Sequence, residues 1–343
     1  MQISEDFFHQ KLFPLVERYK KVDPDTVFVI YGPTATGKTT LSIALAQYLD
    51  GEIVSADSRQ IYTGMDIGTD KIDLSLRQKV PHFAIDIVPP DQLYTAWQWQ
   101  MDTKQWIEEI QSLGHTAMIV GGTGLYIDTI YRNMTMPPSV PPQRERRYEL
   151  EALEKEQPWY CRALLSSVDP ETAAQLHPHA TRFIIRALEI YEQTGIPKSQ
   201  LVHENPVDHP LVMISLTRSV EKANALIAQR VGEMLDRGLI AEVQGLMDQG
   251  YDATSLASLQ GIGYKQTIQW LEQKAKGGKE EKEEKGELSE LQDSIILASV
   301  QYAKRQRTWF RRYAKDAVSA PRERVSYVSV DMDSLMIVEG GWK

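Results

Sequence analysis

With 343 residues, 42% of them hydrophobic, and a net charge of −9, the chain is long enough for one large domain or two smaller ones with a real core. No apolar run reaches the roughly 18 residues that a membrane span needs. The start Met1-Gln2-Ile3-Ser4-Glu5-Asp6 lacks the basic cluster and apolar stretch of a signal peptide, and the single Cys161 excludes an internal disulfide or a multi-cysteine zinc site.

The acidic balance argues against a whole-surface nucleic-acid binder but leaves room for a local basic face. A soluble, cytoplasmic protein is the expectation. In chain order, residues 6–22 read as a short amphipathic helix. The apolar run Val27-Phe28-Val29-Ile30-Tyr31 reads as a strand and feeds Gly32-Pro33-Thr34-Ala35-Thr36-Gly37-Lys38-Thr39. That octet is a complete phosphate loop. Its glycines let backbone N–H groups close around a di- or triphosphate, Lys38 adds a point charge, and the Thr39 hydroxyl can hold Mg²⁺. Leu41, Ala44, Leu45, Tyr48 and Leu49 follow at helical spacing.

A second strand, Glu52-Ile53-Val54-Ser55-Ala56, ends at Asp57. A helix with Trp99, Trp106, Ile107, Ile110 and Leu113 on one face stops at Gly114. The strand Ala117-Met118-Ile119-Val120 then runs into Gly121-Gly122-Thr123-Gly124. Strands alternating with helices predict a parallel sheet covered on both faces, with ligands at the carboxyl ends of its strands. The phosphate loop, Asp57 and Thr123 all lie just past strand ends and are expected to converge.

Four prolines between Met136 and Pro142 read as a stiff linker. Residues 143 to about 195 read as helical, ended by Gly195-Ile196-Pro197, and Leu211-Val212-Met213-Ile214-Ser215-Leu216 reads as a strand returning to the sheet. The fold class is therefore α/β: a P-loop NTPase-like parallel-sheet core with an all-helical insertion. The core is expected at 23–135 and 208–316, the insertion at 136–207, and terminal extensions at 1–22 and 317–343. In the second half, Ala223, Leu226, Ile227, Val231, Met234 and Leu235 mark one helix face. Residues 272–290, with seven acids and five lysines, read as a solvated loop. A last long helix over about 288–315 carries Leu291, Ile295, Ala298, Tyr302 and Trp309 on one face.

Several residues carry two readings. Asp57 suits a Mg²⁺ contact through water, a general base, or a cap for the next turn. The glycines at 121–124 suit a ligand loop or a plain tight turn. Arg144, Arg146 and Arg147 read as solvated helix surface. Lys304, Arg305, Arg307, Arg311 and Arg312 with Trp309 and Phe310 suit phosphates and stacked bases, or a solvated face.

Taken in order, Asp57 to Thr69, Gly121 to Tyr126, Gly261-Ile262-Gly263-Tyr264-Lys265 and Tyr302 to Trp309 resemble the tRNA dimethylallyltransferase (tRNA isopentenyltransferase) family. Pro81 to Asp86 and Arg186-Ala187-Leu188-Glu189 fit the same pattern. The resemblance covers residues 27 to about 315. It implies transfer of a dimethylallyl group from its diphosphate to N6 of adenosine 37 in tRNAs reading UNN codons. It implies Asp57 as the base, Thr123 against the adenine, Gly32 to Thr39 around the diphosphate, and Thr39 on Mg²⁺. For tRNA it implies contacts from Asp57, Ser58, Arg59, Gln60, Thr123, Arg147, Arg182 and Arg186. It adds Gln260, Gly263, Tyr264, Lys265, Lys304, Arg305, Arg307 and Arg311. A stem-loop is a fitting substrate, because a base leaves its stack at least cost in a loop.

The chain departs from the family pattern at His177-Pro178-His179-Ala180, at Phe183 and at Val300, where relatives carry an arginine. The resemblance implies a diphosphate contact at position 300, which would pass to Lys304 or Arg305. Adenylate prenylation, a phosphate-loop kinase or ATP hydrolase, and an RNA binder without catalysis are the competing readings. The expected partners are the tRNA anticodon stem-loop and dimethylallyl diphosphate, with no membrane and a monomeric chain.

Overall fold

The computed structural model describes residues 7–136, 143–251, 256–276 and 281–340. Contacts divide the chain into two compact units, one of residues 1–127 and 207–343 and one of residues 128–206.

The first unit is built on a seven-stranded sheet in the order β3-β2-β4-β1-β5-β6-β7. Its strands are β1 (Val27–Tyr31), β2 (Gly51–Ala56), β3 (His82–Phe83), β4 (Thr116–Gly121), β5 (Leu211–Thr217), β6 (Val325–Asp331) and β7 (Met336–Gly340). The first six run parallel and β7 returns antiparallel to β6. β1 lies mid-sheet, with Val29 beside Ile119 and Met213. All five of its side chains are buried, which is why it reads as a continuous rather than an alternating apolar run.

A π-helical turn, Phe8–Leu12, leads into α1 (Phe13–Val22), and α2 (Lys38–Leu49) follows the phosphate loop. Phe8, Leu12, Phe13 and Val16 pack with Leu41, Leu45 and Leu49 in one cluster with Phe28, Ile30, Ile53 and Val330 of the sheet. Residues 7–22 are therefore no extension: they help form the core. Tyr48, expected inward, is 41% exposed, though its ring stacks on Phe13 at 4.7 Å.

α3 (Ala96–Ser112) starts with a capping box, Thr95 accepting from Gln98 N and Gln98 reaching back to Thr95 N. Trp99, Ile107 and Ile110 are buried, and the Trp99 indole donates to Ser55 O at 2.9 Å. Leu113 is 68% exposed because the helix has already ended at Ser112. α4 (Gly124–Tyr131) follows the Gly121–Gly124 turn.

The tail holds the larger correction. Residues 325–331 pair with β5 in register from Leu211/Val325 to Thr217/Asp331, and β7 closes the edge. Tyr19 of α1 donates to Glu339 of β7 at 2.7 Å. Short β-branched strands after a long helix carry little periodic signal, and this hairpin turns on Asp331, whose Oδ1 accepts from Asp333 N.

The second unit contains α5 (Arg144–Glu156), α6 (Tyr160–Val168), α7 (Pro170–Gln175) and α8 (Thr181–Thr194). Leu150, Cys161, Leu165, Ala173, Ile184, Ile185 and Leu188 form its core. It begins at Asp128 and ends at Pro206, against the expected 136–207. The proline linker falls, from 137 to 142, outside the described residues.

The first unit continues with α9 (Val220–Asp236), α10 (Leu239–Asp248), α11 (Tyr264–Lys276) and α12 (Glu281–Ser319). The stretch expected as a loop over 272–290 is helical at both ends, and 277–280 lies outside the described residues. Glu, Lys and Leu are good helix formers, and the segment extends the packed stretch that begins at Leu291. The buried line of α12 is Leu291, Ile295, Ala303, Gln306, Phe310 and Tyr313, displaced from the expected face toward Tyr31, which both Phe310 and Tyr313 meet at 5.2 Å.

Candidate active site

The phosphate loop bridges β1 and α2. Gly37 (φ 88°) and Ala35 (φ 63°) are left-handed, a conformation easy for glycine and strained for alanine. A Cβ on Gly32 would lie 2.6 Å from Leu216 O, so β5 closes on the loop from behind. The Lys38 ammonium donates to the carbonyls of Gly32 (2.9 Å) and Pro33 (2.8 Å). Its pKa is lowered to about 8 by burial and by the Arg230 charge, with Asp57 acting the other way. Thr39 stands exposed in the first turn of α2.

Two side chains foreign to the loop hold Thr34. Gln306 of α12 accepts from Thr34 N (2.9 Å) and donates to Gly122 O (2.9 Å), tying the phosphate loop to the turn after β4. Arg230 of α9 donates to Thr34 Oγ1 at 3.0 Å. Neither residue stood out in the sequence. The signal for Gln306 was its place in the Tyr302–Trp309 motif, and Arg230 gave none.

Asp57 follows β2, and its Oδ1 accepts from Arg59 N at 2.9 Å. Thr123 follows β4: its N–H donates to Ala56 O (3.0 Å) and its Oγ1 accepts from Ser58 N (3.0 Å). The expected convergence of phosphate loop, Asp57 and Thr123 is therefore real. Tyr302 borders the same place, its hydroxyl pushed up to about 12 by burial and by the Asp57 charge.

The glycines of 121–124 have packing reasons. A Cβ would lie 2.2 Å from Ala56 O at Gly121, 2.4 Å from Gln306 Nε2 at Gly122 and 2.3 Å from the Trp309 ring at Gly124. They let α12 press onto the turn that carries Thr123.

The remaining expected RNA contacts divide by placement. Arg59 binds the carbonyl of Ala257 (2.7 Å), fastening the segment that leads to Gln260. Gln60 turns inward, donating to Thr69 O and Asp70 O at 3.3 Å each. Tyr264 has no surface: it is fully buried, and its hydroxyl donates to Glu242 at 2.6 Å. Glu242 also accepts from the N–H groups of Asp66, Ile67 and Gly68, so this pair supports the 66–70 loop from beneath. Gly263 (φ 90°) precedes α11. Gln260, Lys265, Lys304, Arg305 and Arg311 are exposed and Arg307 is half-exposed. Val300 packs into the apolar cluster of α9–α12, and Lys304 and Arg305 lie on the outer side of their helix; the guanidinium at the loop belongs to Arg230.

Within the second unit, Glu189 is 1% exposed and takes a two-point ion pair from Arg147 (3.1 and 2.7 Å) and a third bond from Arg186 (3.2 Å). Burial of that carboxylate needs both partners. Arg182 and Phe183 are exposed at the start of α8.

A P-loop at the carboxyl end of a parallel sheet, with a carboxylate and a hydroxyl beside it, defines a protein of the P-loop α/β class. The IPP transferase family model matches residues 60–313, and an isopentenyl transferase model matches residues 25–74. The chain belongs to the IPP transferase family. It is 40% identical to a tRNA dimethylallyltransferase of Pelotomaculum thermopropionicum over 84% of this chain and 88% of that one. It is 41% identical to the Synechocystis tRNA dimethylallyltransferase over 85% and 89%. Among solved structures it resembles the tRNA isopentenylpyrophosphate transferase of Bacillus halodurans (35% identity, TM-score 0.60, 90% of both chains). It also resembles a eukaryotic dimethylallyltransferase acting on tRNA (26% identity, TM-score 0.68, 90% of this chain and 74% of that one).

Proposed function

We propose that this chain is a prenyltransferase that moves a dimethylallyl group from dimethylallyl diphosphate to N6 of adenosine 37 in tRNAs reading UNN codons. The observation that carries the reading is the Gln306 bridge. It sets a phosphate cradle beside a carboxylate and a hydroxyl that suit an exocyclic amine.

In the reaction the adenine N6 lone pair attacks the allylic carbon, the carbon–oxygen bond to the diphosphate breaks, and N6 loses a proton. Asp57, at the end of β2, is the acceptor for that proton. The Thr123 hydroxyl holds the adenine beside it. The leaving diphosphate gathers negative charge, which the loop N–H groups, Lys38 and Arg230 are set to receive. A hydroxyl, a diphosphate and water make the hard oxygen set that Mg²⁺ favours, and no cluster of three or more His, Cys, Asp or Glu side chains builds a protein-only metal cage among the described residues. Thr39 is the residue that would hold the ion, and a bound Mg²⁺ would neutralise diphosphate charge. The RNA follows the exposed cations of α12, with Gln260 and Lys265 beyond Arg59. We place the enzyme in the cytoplasm as a monomer; no described helix is long and apolar enough to cross a membrane.

The test is a transfer assay with labelled dimethylallyl diphosphate, Mg²⁺ and unmodified anticodon stem-loops, with AMP and ATP as parallel acceptors. Label on the stem-loop alone supports the reading. Label on AMP alone makes the chain an adenylate isopentenyltransferase, and label on neither, with ATP hydrolysed, makes it a P-loop ATPase.

A further inference from the structure

The 66–70 loop is held in place more firmly than its exposure warrants. Glu242 accepts three of its backbone N–H groups, at 2.9, 2.7 and 3.2 Å. Thr69 bonds back to Met65 O at 2.6 Å, and Gln60 takes the carbonyls of Thr69 and Asp70. At the end of this scaffold Asp70 is left-handed (φ 51°), an uncommon conformation for a residue with a side chain. Asp is one of the few residues with a side chain that adopt it, and the bonded loop fixes where its carboxylate stands.

The Asp70 carboxylate points at two arginines. Oδ2 lies 2.9 Å from Nε of Arg230, and Oδ1 lies 3.5 Å from Nη1 of Arg237. Arg230 in turn gives its Nη1 to Thr34 Oγ1 in the phosphate loop. So a carboxylate stands in ion-pair range of the inner end of the guanidinium, with no hydrogen bond from Nε, while the outer end lies on the cradle. Its own surroundings push Arg230 away: Lys38 and Arg237 are both cations, and the mutual repulsion with Lys38 already lowers that ammonium's pKa. Among Lys38, Arg230 and Arg237, Asp70 is the one acid in ion-pair contact with an arginine of the set among the described residues.

We propose that Asp70 is a positioning residue that holds the Arg230 guanidinium against the phosphate loop, ready for the diphosphate of the donor. The inference rests on the prenyl-transfer reading for the identity of the donor. It needs only a diphosphate for its test. Two effects oppose each other when the carboxylate is removed. Loss of a negative charge raises the local potential and favours an anion. Loss of the anchor frees a long side chain to leave the loop under repulsion from its neighbours, and an unanchored arginine must be ordered again on binding. The double hold of Glu242 and Gln60 on the loop favours the second effect, because it keeps the carboxylate fixed beside the guanidinium.

The experiment measures binding of Mg²⁺-pyrophosphate to the full chain by calorimetry, beside steady-state KM for dimethylallyl diphosphate and for the stem-loop. Asp70→Asn removes the charge and tolerates the left-handed backbone. It should weaken pyrophosphate binding by about five- to tenfold, the cost of ordering one long side chain, and raise the donor KM alike, with kcat and the stem-loop KM little changed. In an Arg230→Gln background the same substitution should change nothing further, which a purely structural role of Asp70 would not produce. Asp70→Gly, strain-free at that φ, serves if the asparagine variant folds poorly. Unchanged or tighter pyrophosphate binding in Asp70→Asn, or an equal loss in both backgrounds, overturns the proposal. If the unaltered chain binds no pyrophosphate, the diphosphate reading of the site fails instead.

Discussion

Asp57 and Lys38 hold the proposed roles at the smallest scale, and each makes a separable prediction. Asp57→Ala should keep stem-loop binding and lower kcat by roughly 10²-fold or more, the usual size of a lost general base; a fully active variant would reassign the proton acceptor. Lys38 titrates at about 8 in the folded protein against 10.5 in its ordinary state. Between those values the unfolded chain holds the extra proton. Lys38 therefore penalises folding below about pH 8, and the penalty fades as pH rises toward 10.5. On the proposed role of Lys38, binding runs the opposite way, since a diphosphate would need the ammonium. Pyrophosphate affinity followed by calorimetry should fall above pH 8 by up to about tenfold per unit, and Lys38→Met should abolish that slope. The loop's residues were legible from the sequence because its function is local: contiguous N–H groups and one lysine make the cradle. Arg230 was not, because an arginine on an amphipathic helix has no local mark of the loop it will reach.

At the scale of elements, α12 decides the site. Its inner face sends Gln306 across two loops and presses Trp309 on Gly124, while its outer face carries Lys304, Arg305 and Arg311. Gly124→Ala should cost about 1–3 kcal/mol by overpacking, read as a lower urea midpoint with turnover falling in step as α12 is displaced. Removing the charges of Arg305 and Arg307 together should weaken stem-loop binding and flatten log Kd against log salt by roughly 0.7–0.9 per lost phosphate contact. An unchanged slope would put the RNA elsewhere. The motif containing α12 was visible in the sequence, yet its helical face was misjudged. The Leu291–Tyr302 spacing is helical, but the burial of a polar Gln306 depends on two partners from distant loops.

At the scale of the whole molecule, residues 7–22 and 325–340 belong to the folded core. β6 covers the outer edge of β5 along seven residue pairs, from Leu211/Val325 to Thr217/Asp331. A chain ending at residue 320 would leave that edge bare and lose Val325, Val328 and Val330 from the interior. It should give little soluble protein and no cooperative melt by circular dichroism. A melt like that of the full chain would show the hairpin to be dispensable.

The sequence by itself determined the β-α order, the phosphate loop, the carboxylate at a strand end and the family, because each is written in contiguous residues or in short motifs kept in order. Tertiary structure alone decided that the tail completes the sheet, that Tyr264 is buried on Glu242 and Gln60 donates to the 69–70 carbonyls, and that Arg230 and Gln306 reach the phosphate loop. Those outcomes depend on pairings between residues up to 272 positions apart, such as Thr34 with Gln306, where no local propensity points to the partner.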